Sequence, residues 1–235
     1  MKNCILIALA LSVGACGDLI EDPLYTTVGS ACESIVQGRD VTLGPIHSTV
    51  EIAEGGCTGT YIAPGVVLTA AHCGNRAYIQ VGDVVRSNIL YVPHPDFDRS
   101  TLTNDLALMF LDGELPIDIA TLGVPTYGAA LIQGYGMDEF GVSGILREAN
   151  IFIEAFWAPN SIMAGQGPDS CFGDSGGPMY QAGNLVGVTR SALPVFPQPD
   201  DMLDYCGQGG LYTVVAKFRE WLDSEVANLT WVGSC

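Results

Sequence analysis

Positive charge is scarce in this sequence: nine Lys and Arg stand against 26 Asp and Glu in 235 residues, a formal net charge of −17. A phosphate backbone is held by Lys and Arg, so this balance excludes nucleic acid as a partner. Charged residues of both signs reach only 15%, with no low-complexity tract, which excludes a disordered, solvating chain. Histidine occurs three times, and neither these residues nor the cysteines fall at the spacing of a zinc site. No apolar run is long enough to span a bilayer as a stable helix, and no segment repeats at a fixed period. The acidity itself has two readings, solubility and long-range attraction of cationic substrates.

What the chain does have is glycine, 29 copies, scattered between short apolar and β-branched runs. Tyr61-Ile62-Ala63, Val66 to Thr69, Tyr78 to Val81, Asn88 to Val92 and Leu106 to Leu111 form one set. Ala130 to Ile132, Asn150 to Ile153, Leu185 to Val188 and Gly210 to Val214 form a second. Short strands at this spacing predict an all-β barrel or sandwich. Only one segment, Val215 to Leu229, reads as an amphipathic helix, with Phe218, Leu222 and Val226 four apart.

The N-terminus reads as a leader. Lys2 precedes an apolar run from Cys4 to Val13, which ends in Gly14-Ala15-Cys16. This resembles a bacterial lipoprotein signal, which implies removal of residues 1–15 and lipid on Cys16. An ordinary secretory peptide cut nearby is the other reading. Gly17 follows the cysteine, where Asp in such lipoproteins signals inner-membrane retention, so the expected location is the cell envelope, at the outer membrane. Either leader delivers the chain to an oxidising compartment. Residues 16–34 then form a lipid-anchored prosegment, in which 17–34 are acidic and contain no Lys or Arg.

Three short stretches carry chemistry. Thr69-Ala70-Ala71-His72-Cys73 puts a histidine at a strand end, and Asn104-Asp105-Leu106 puts an acid ahead of an apolar run. Gly173-Asp174-Ser175-Gly176-Gly177-Pro178 puts a serine in a glycine-rich turn. A serine hydroxyl needs a neighbouring base, and an imidazole titrates near neutral pH. In the order His, Asp, Ser the three resemble the trypsin/chymotrypsin-like serine proteases, and the resemblance runs from Ile35 to about Leu222. It implies two packed antiparallel β-barrels, about 35–125 and 126–222, with a C-terminal helix at about 215–229. It also implies a triad of His72, Asp105 and Ser175, and an oxyanion hole from the amides of Gly173 and Ser175.

Further segments extend the likeness. Ile35-Val36-Gln37-Gly38 resembles the N-terminus that zymogen cleavage frees in this family, and implies pairing of that amine with Asp174. Cys57–Cys73 and Cys171–Cys206 match two family bridges, which leaves Cys32 and Cys235 to each other. Asp169 stands where tryptic members carry an acid at the base of the primary specificity pocket, and Gly210 matches a glycine of its wall. Cleavage after Arg or Lys follows. Where relatives have Ser-Trp-Gly, however, this chain has Thr189-Arg190-Ser191-Ala192, then a Pro-rich insertion to Tyr205. Read without a gap, the departure sets Arg190 near Asp105, in reach of competing for Asp169; with a one-residue gap, Ser191 takes that place. Ala192 or Leu193 would narrow the pocket mouth.

The resemblance thus implies a monomeric, trypsin-like serine endopeptidase acting on protein or peptide substrates, basic ones among them. It implies an activating protease as a partner, membrane contact only through the lipid, and no cofactor or metal. His47 and His94 take surface or structural roles. The rival readings are an active protease of altered, non-tryptic specificity and a catalytically silent surface binding homologue.

Overall fold

The computed structural model describes residues 35, 37–41, 47–53, 56–157, 160–165, 167–193 and 206–230. Its strands group into two rings. In the first, β2 (Thr49–Ile52), β3 (Cys57–Ala63), β4 (Val66–Thr69), β5 (Tyr78–Val81), β6 (Val84–Pro93) and β7 (Ala107–Leu111) close in the order β2-β3-β4-β7-β6-β5. All its pairings are antiparallel. The apolar runs of β4 and β7 are buried at every position, and Val50, Ile52, Leu68, Ile79 and Leu108 form the centre of this core.

The second ring is built from β8 (Gly128–Gly134), β9 (Arg147–Trp157), β10 (Ser161–Ala164), β11 (Pro178–Gln181), β12 (Asn184–Ala192) and β13 (Gly210–Val214). It runs β8-β9-β10-β13-β12-β11 and returns to β8. Period-two alternation is clearest on β9: Arg147, Ala149, Ile151 and Ile153 are buried, while Asn150, Phe152 and Glu154 face out. A two-residue strand, β1 (Arg39–Asp40), pairs onto the end of β9. Two closed six-stranded antiparallel barrels are therefore present, as the resemblance implied, and each expected apolar run lies on one of their strands.

The C-terminal helix α1 (Arg219–Thr230) is preceded by a 3₁₀ turn, Val215–Phe218, rather than starting at Val215. In a 3₁₀ turn residues three apart eclipse, which puts Val215 and Phe218 on one side. Both are buried against the first barrel's core with Leu222. No helix of the described residues is long and apolar enough to cross a membrane.

Hydrogen bonds from Thr58 on β3 join the barrels at the site. Its N–H donates to the Ser175 carbonyl at 2.9 Å and its hydroxyl to the Gly173 carbonyl at 2.9 Å, while that hydroxyl accepts from the Tyr135 N–H at 3.0 Å.

Candidate active site

His72 lies in a single 3₁₀ turn, Ala71–Cys73, directly after β4. The turn is held from both sides. Cys73 is disulfide-bonded to Cys57 on β3, and the Tyr91 hydroxyl donates to the Ala71 carbonyl at 2.7 Å. Asp105 is wholly buried. One of its oxygens accepts the His72 backbone N–H at 2.8 Å, and the other meets His72 Nδ1 at 2.6 Å. Burial, and secondly the Asp105 charge, push the Tyr91 phenol up to about 12, so it remains a donor. Asn104, at φ +53, turns the chain into Asp105, and its side-chain oxygen accepts from Asn160 of the second barrel at 3.1 Å.

Ser175 sits in the turn before β11. A second disulfide, Cys171–Cys206, borders it. Such bridges persist in oxidising compartments, outside the cytosol. Gly176 has φ +84, and a Cβ there would lie 2.0 Å from Thr69 Oγ1, so the backbone passes too close to β4 for any side chain. His72 and Ser175 line one cleft of about 300 Å³ with Phe172, Arg190, Ser191 and Ala192. Gly173 has φ +99 at the turn's other end.

Asp174 points away from the cleft. Its carboxylate accepts the N–H groups of Gly136 and Cys171, each at 2.8 Å, and has no ion pair among the described residues. Burial pushes it up to about 7. The nearby Arg147 is engaged by Asp138 at 3.0 Å. Ile35 is buried in the second barrel's core, at φ +46.

Asp169 is 1% exposed and does not line the cleft; its neighbour Ser170 does. It accepts the N–H groups of Ser170 at 2.7 Å and Gly209 at 3.1 Å, and the Tyr212 hydroxyl at 3.3 Å. Burial outweighs these bonds and raises it to about 6. A Cβ on Gly210 would come within 3.0 Å of Asp169 and 2.9 Å of the Tyr212 hydroxyl, so this glycine leaves the carboxylate its space. Tyr212 was not singled out from sequence, although the alternation Gly210-Leu211-Tyr212 sets it on the face of Gly210.

Arg190 occupies a bulge where the pairing of β12 with β13 shifts between Thr189 and Ser191. The ungapped reading describes it best: the charge it feels is Asp105, and its Nη1 donates to Ser161 Oγ at 2.8 Å. It makes no ion pair with Asp169. His94 packs edge-on against Phe218 and Trp221, with ring centroids 5.0 and 4.9 Å away, a structural role. His47 lines a separate cavity of about 630 Å³ with Gln133 and Tyr180. The leader, Cys16, the Cys32–Cys235 bridge and the insertion after Leu193 lie outside the described residues.

Comparison with known proteins agrees with this geometry. The trypsin family model matches residues 35–222. Similar proteins include human kallikrein-4, 30% identical with 89% of this chain and 94% of the relative covered. The vitellin-degrading protease of Bombyx mori is 29% identical, with 87% and 94% covered. Trypsin alpha of Drosophila melanogaster is 25% identical, with 94% and 97% covered. With a family model matching most of its length, two closed barrels, and His72 and Ser175 facing one cleft, the chain belongs to the trypsin family of serine endopeptidases.

Proposed function

We propose that the chain hydrolyses peptide bonds after Arg or Lys through an acyl-enzyme on Ser175. The observation that carries this reading is the double hold of Asp105 on His72 in the cleft that Ser175 also lines. Asp105 accepts a hydrogen bond from Nδ1–H and keeps the proton on that nitrogen, so Nε2 is free to act as base. Ser175 Oγ attacks the scissile carbonyl carbon and its proton passes to His72 Nε2. The negative oxygen of the tetrahedral adduct is met by the amides of Gly173 and Ser175, each contributing about 3–4 kcal/mol. His72 then protonates the leaving amine, the C–N bond breaks, and water repeats the sequence to release the acid.

Asp169 supports the preference for a cation. A buried carboxylate held near pH 6 gains when a guanidinium or ammonium arrives to share its site. Altered specificity is the second reading, favoured by Ala192 and Arg190 in the cleft wall. Activation would follow cleavage before Ile35, whose new amine would give Asp174 the cation it lacks. Ser34 precedes that bond, so a protease of other specificity would make the cut. Lipid on Cys16 would anchor the chain at the outer membrane, and a Cys32–Cys235 bond would retain the cut domain. The mature protein would act as a monomer.

A fluorophosphonate probe tests the mechanism. Labelling at Ser175 is expected, together with a loss of about a millionfold in turnover in Ser175→Ala. Labelling elsewhere, or unchanged turnover, defeats it.

A further inference from the structure

Arg190 is a half-buried cation with an incomplete set of partners, in the same cleft as His72 and Ser175. A guanidinium carries five donors in a rigid fork suited to an oxyanion. Here Nη1 uses one on Ser161, while Nε is buried with no acceptor among the described residues. Among the described residues no carboxylate forms an ion pair with it. The charge that does reach it belongs to Asp105, but both Asp105 oxygens are already engaged by His72. Asp169 is no substitute, because Ser170, Gly209 and Tyr212 surround its oxygens. Burial works against the charge of Arg190, and an unpaired, partly desolvated cation is stabilised most by an anion that brings its own acceptors.

We infer that Arg190 is a specificity-determining residue that binds a carboxylate side chain of the substrate near the scissile bond. The substrate is then read by two charges of opposite sign: Asp169, behind Ser170 of the cleft wall, takes the basic residue at the cut, and Arg190, in the wall itself, takes an acidic residue within a few positions of it. The strongly negative protein repels such a substrate at long range, so the selection works by contact rather than by steering. Ser161 fixes the direction of the fork, since Nη1 is tied to β10 while the side chain lines the cleft.

This inference rests on the proposed reading that the cleft holds the scissile peptide, and its test separates the two. Peptides containing one Arg are prepared in pairs, with Glu or its neutral isostere Gln at each of three positions on either side of that Arg. Their affinities are measured by fluorescence anisotropy on the mature chain carrying Ser175→Ala, which needs no turnover. At one position Glu is expected to bind about tenfold more tightly than Gln, the scale of one charge-assisted contact. Adding Arg190→Ser abolishes that ratio, and Arg190→Lys keeps part of it. Because only the ratio is read, a general loosening of the cleft cancels. No Glu preference at any position, or a preference that survives Arg190→Ser, overturns the inference. Turnover of the same peptides by the Ser175 protein judges the other reading. Cleavage without a Glu preference defeats only the role of Arg190, and a Glu preference without cleavage defeats only the endopeptidase.

Discussion

Asp105 grips His72 at two points, one oxygen on its backbone N–H at 2.8 Å and the other at ring Nδ1, 2.6 Å away. The backbone contact locates the residue, and the ring contact selects which nitrogen carries the proton. In Asp105→Asn the amide can still accept the backbone bond while its NH₂ group faces Nδ1. That would move the ring proton to Nε2, where it blocks proton transfer from Ser175. A fall in turnover of about ten-thousandfold is expected with the fold intact. Steady-state kinetics beside circular dichroism checks it, and a loss under tenfold would contradict the assignment.

Tyr212 and Asp169 offer a second test. Asp169→Ser should lower kcat/KM for Arg substrates about a thousandfold or more, as a polar site built for one partner rejects poor fits strongly. Tyr212→Phe removes one bond to the carboxylate and should cost about fivefold. With Asp169 raised to about 6, the ratio of Arg to neutral-residue kcat/KM should climb as pH rises through that value. Taking the ratio removes every pH effect that both substrates share. A flat ratio would remove Asp169 from the selector role.

Asp174 makes the uncut chain sensitive to pH. Its folded value of about 7 lies above the ordinary 3.8, so the folded chain holds a proton that the unfolded chain has lost in between. Its contribution to stability is full below about pH 4 and is lost as pH rises through about 7, by at most about 1.4 kcal/mol per pH unit. Asp169 has the same sign but finishes near 6. Urea midpoints of uncut Ser175→Ala protein from pH 4 to 8 should therefore decline, and Asp174→Asn should flatten the part above 6. Cutting before Ile35 should flatten it too, because the new amine stabilises the ionised acid. A decline unchanged by both would contradict the pairing.

The proposed tether has a direct assay. Membrane-bound protein cut at Ser34–Ile35 should stay on the membrane and leave it on addition of reductant. Two acyl chains on Cys16 suffice for stable anchoring. Release before reduction, or mass mapping that pairs Cys32 with anything except Cys235, rules it out.

Much of this architecture was legible in the sequence. Val66 to Thr69 and Ala107 to Leu111 are apolar throughout because both strands are buried along their whole length. β2, β10 and β11 were not legible as strands: each has four residues, and Glu, Ser, Ala, Met or Pro among them dilutes the β-branched run that makes β4, of the same length, stand out. The three chemical residues stood out because each lies at a strand end beside Gly, Ala or Asn. Tyr91, Tyr212 and Thr58 did not, since their roles depend on what approaches from another strand or from the other barrel. Arg190 was visible as a departure, but its direction is set by a bulge that arises only when β12 pairs with β13.

β1 fixes the chain at Arg39, where the guanidinium grips Glu148 on β9 at 2.6 and 2.9 Å. Just ahead of it, Ile35 and Gln37 hold left-handed torsions, which for a β-branched residue such as Ile35 is strain of about 1–3 kcal/mol. The φ of Ile35 is a rotation about a bond whose far reference atom is the carbonyl carbon of Ser34. Hydrolysis of that peptide removes the reference atom, and the torsion ceases to exist. The proposed cut would thus act as a trigger on a latched spring: the strain held in the Ile35 torsion would be released, with β1 as the fixed end.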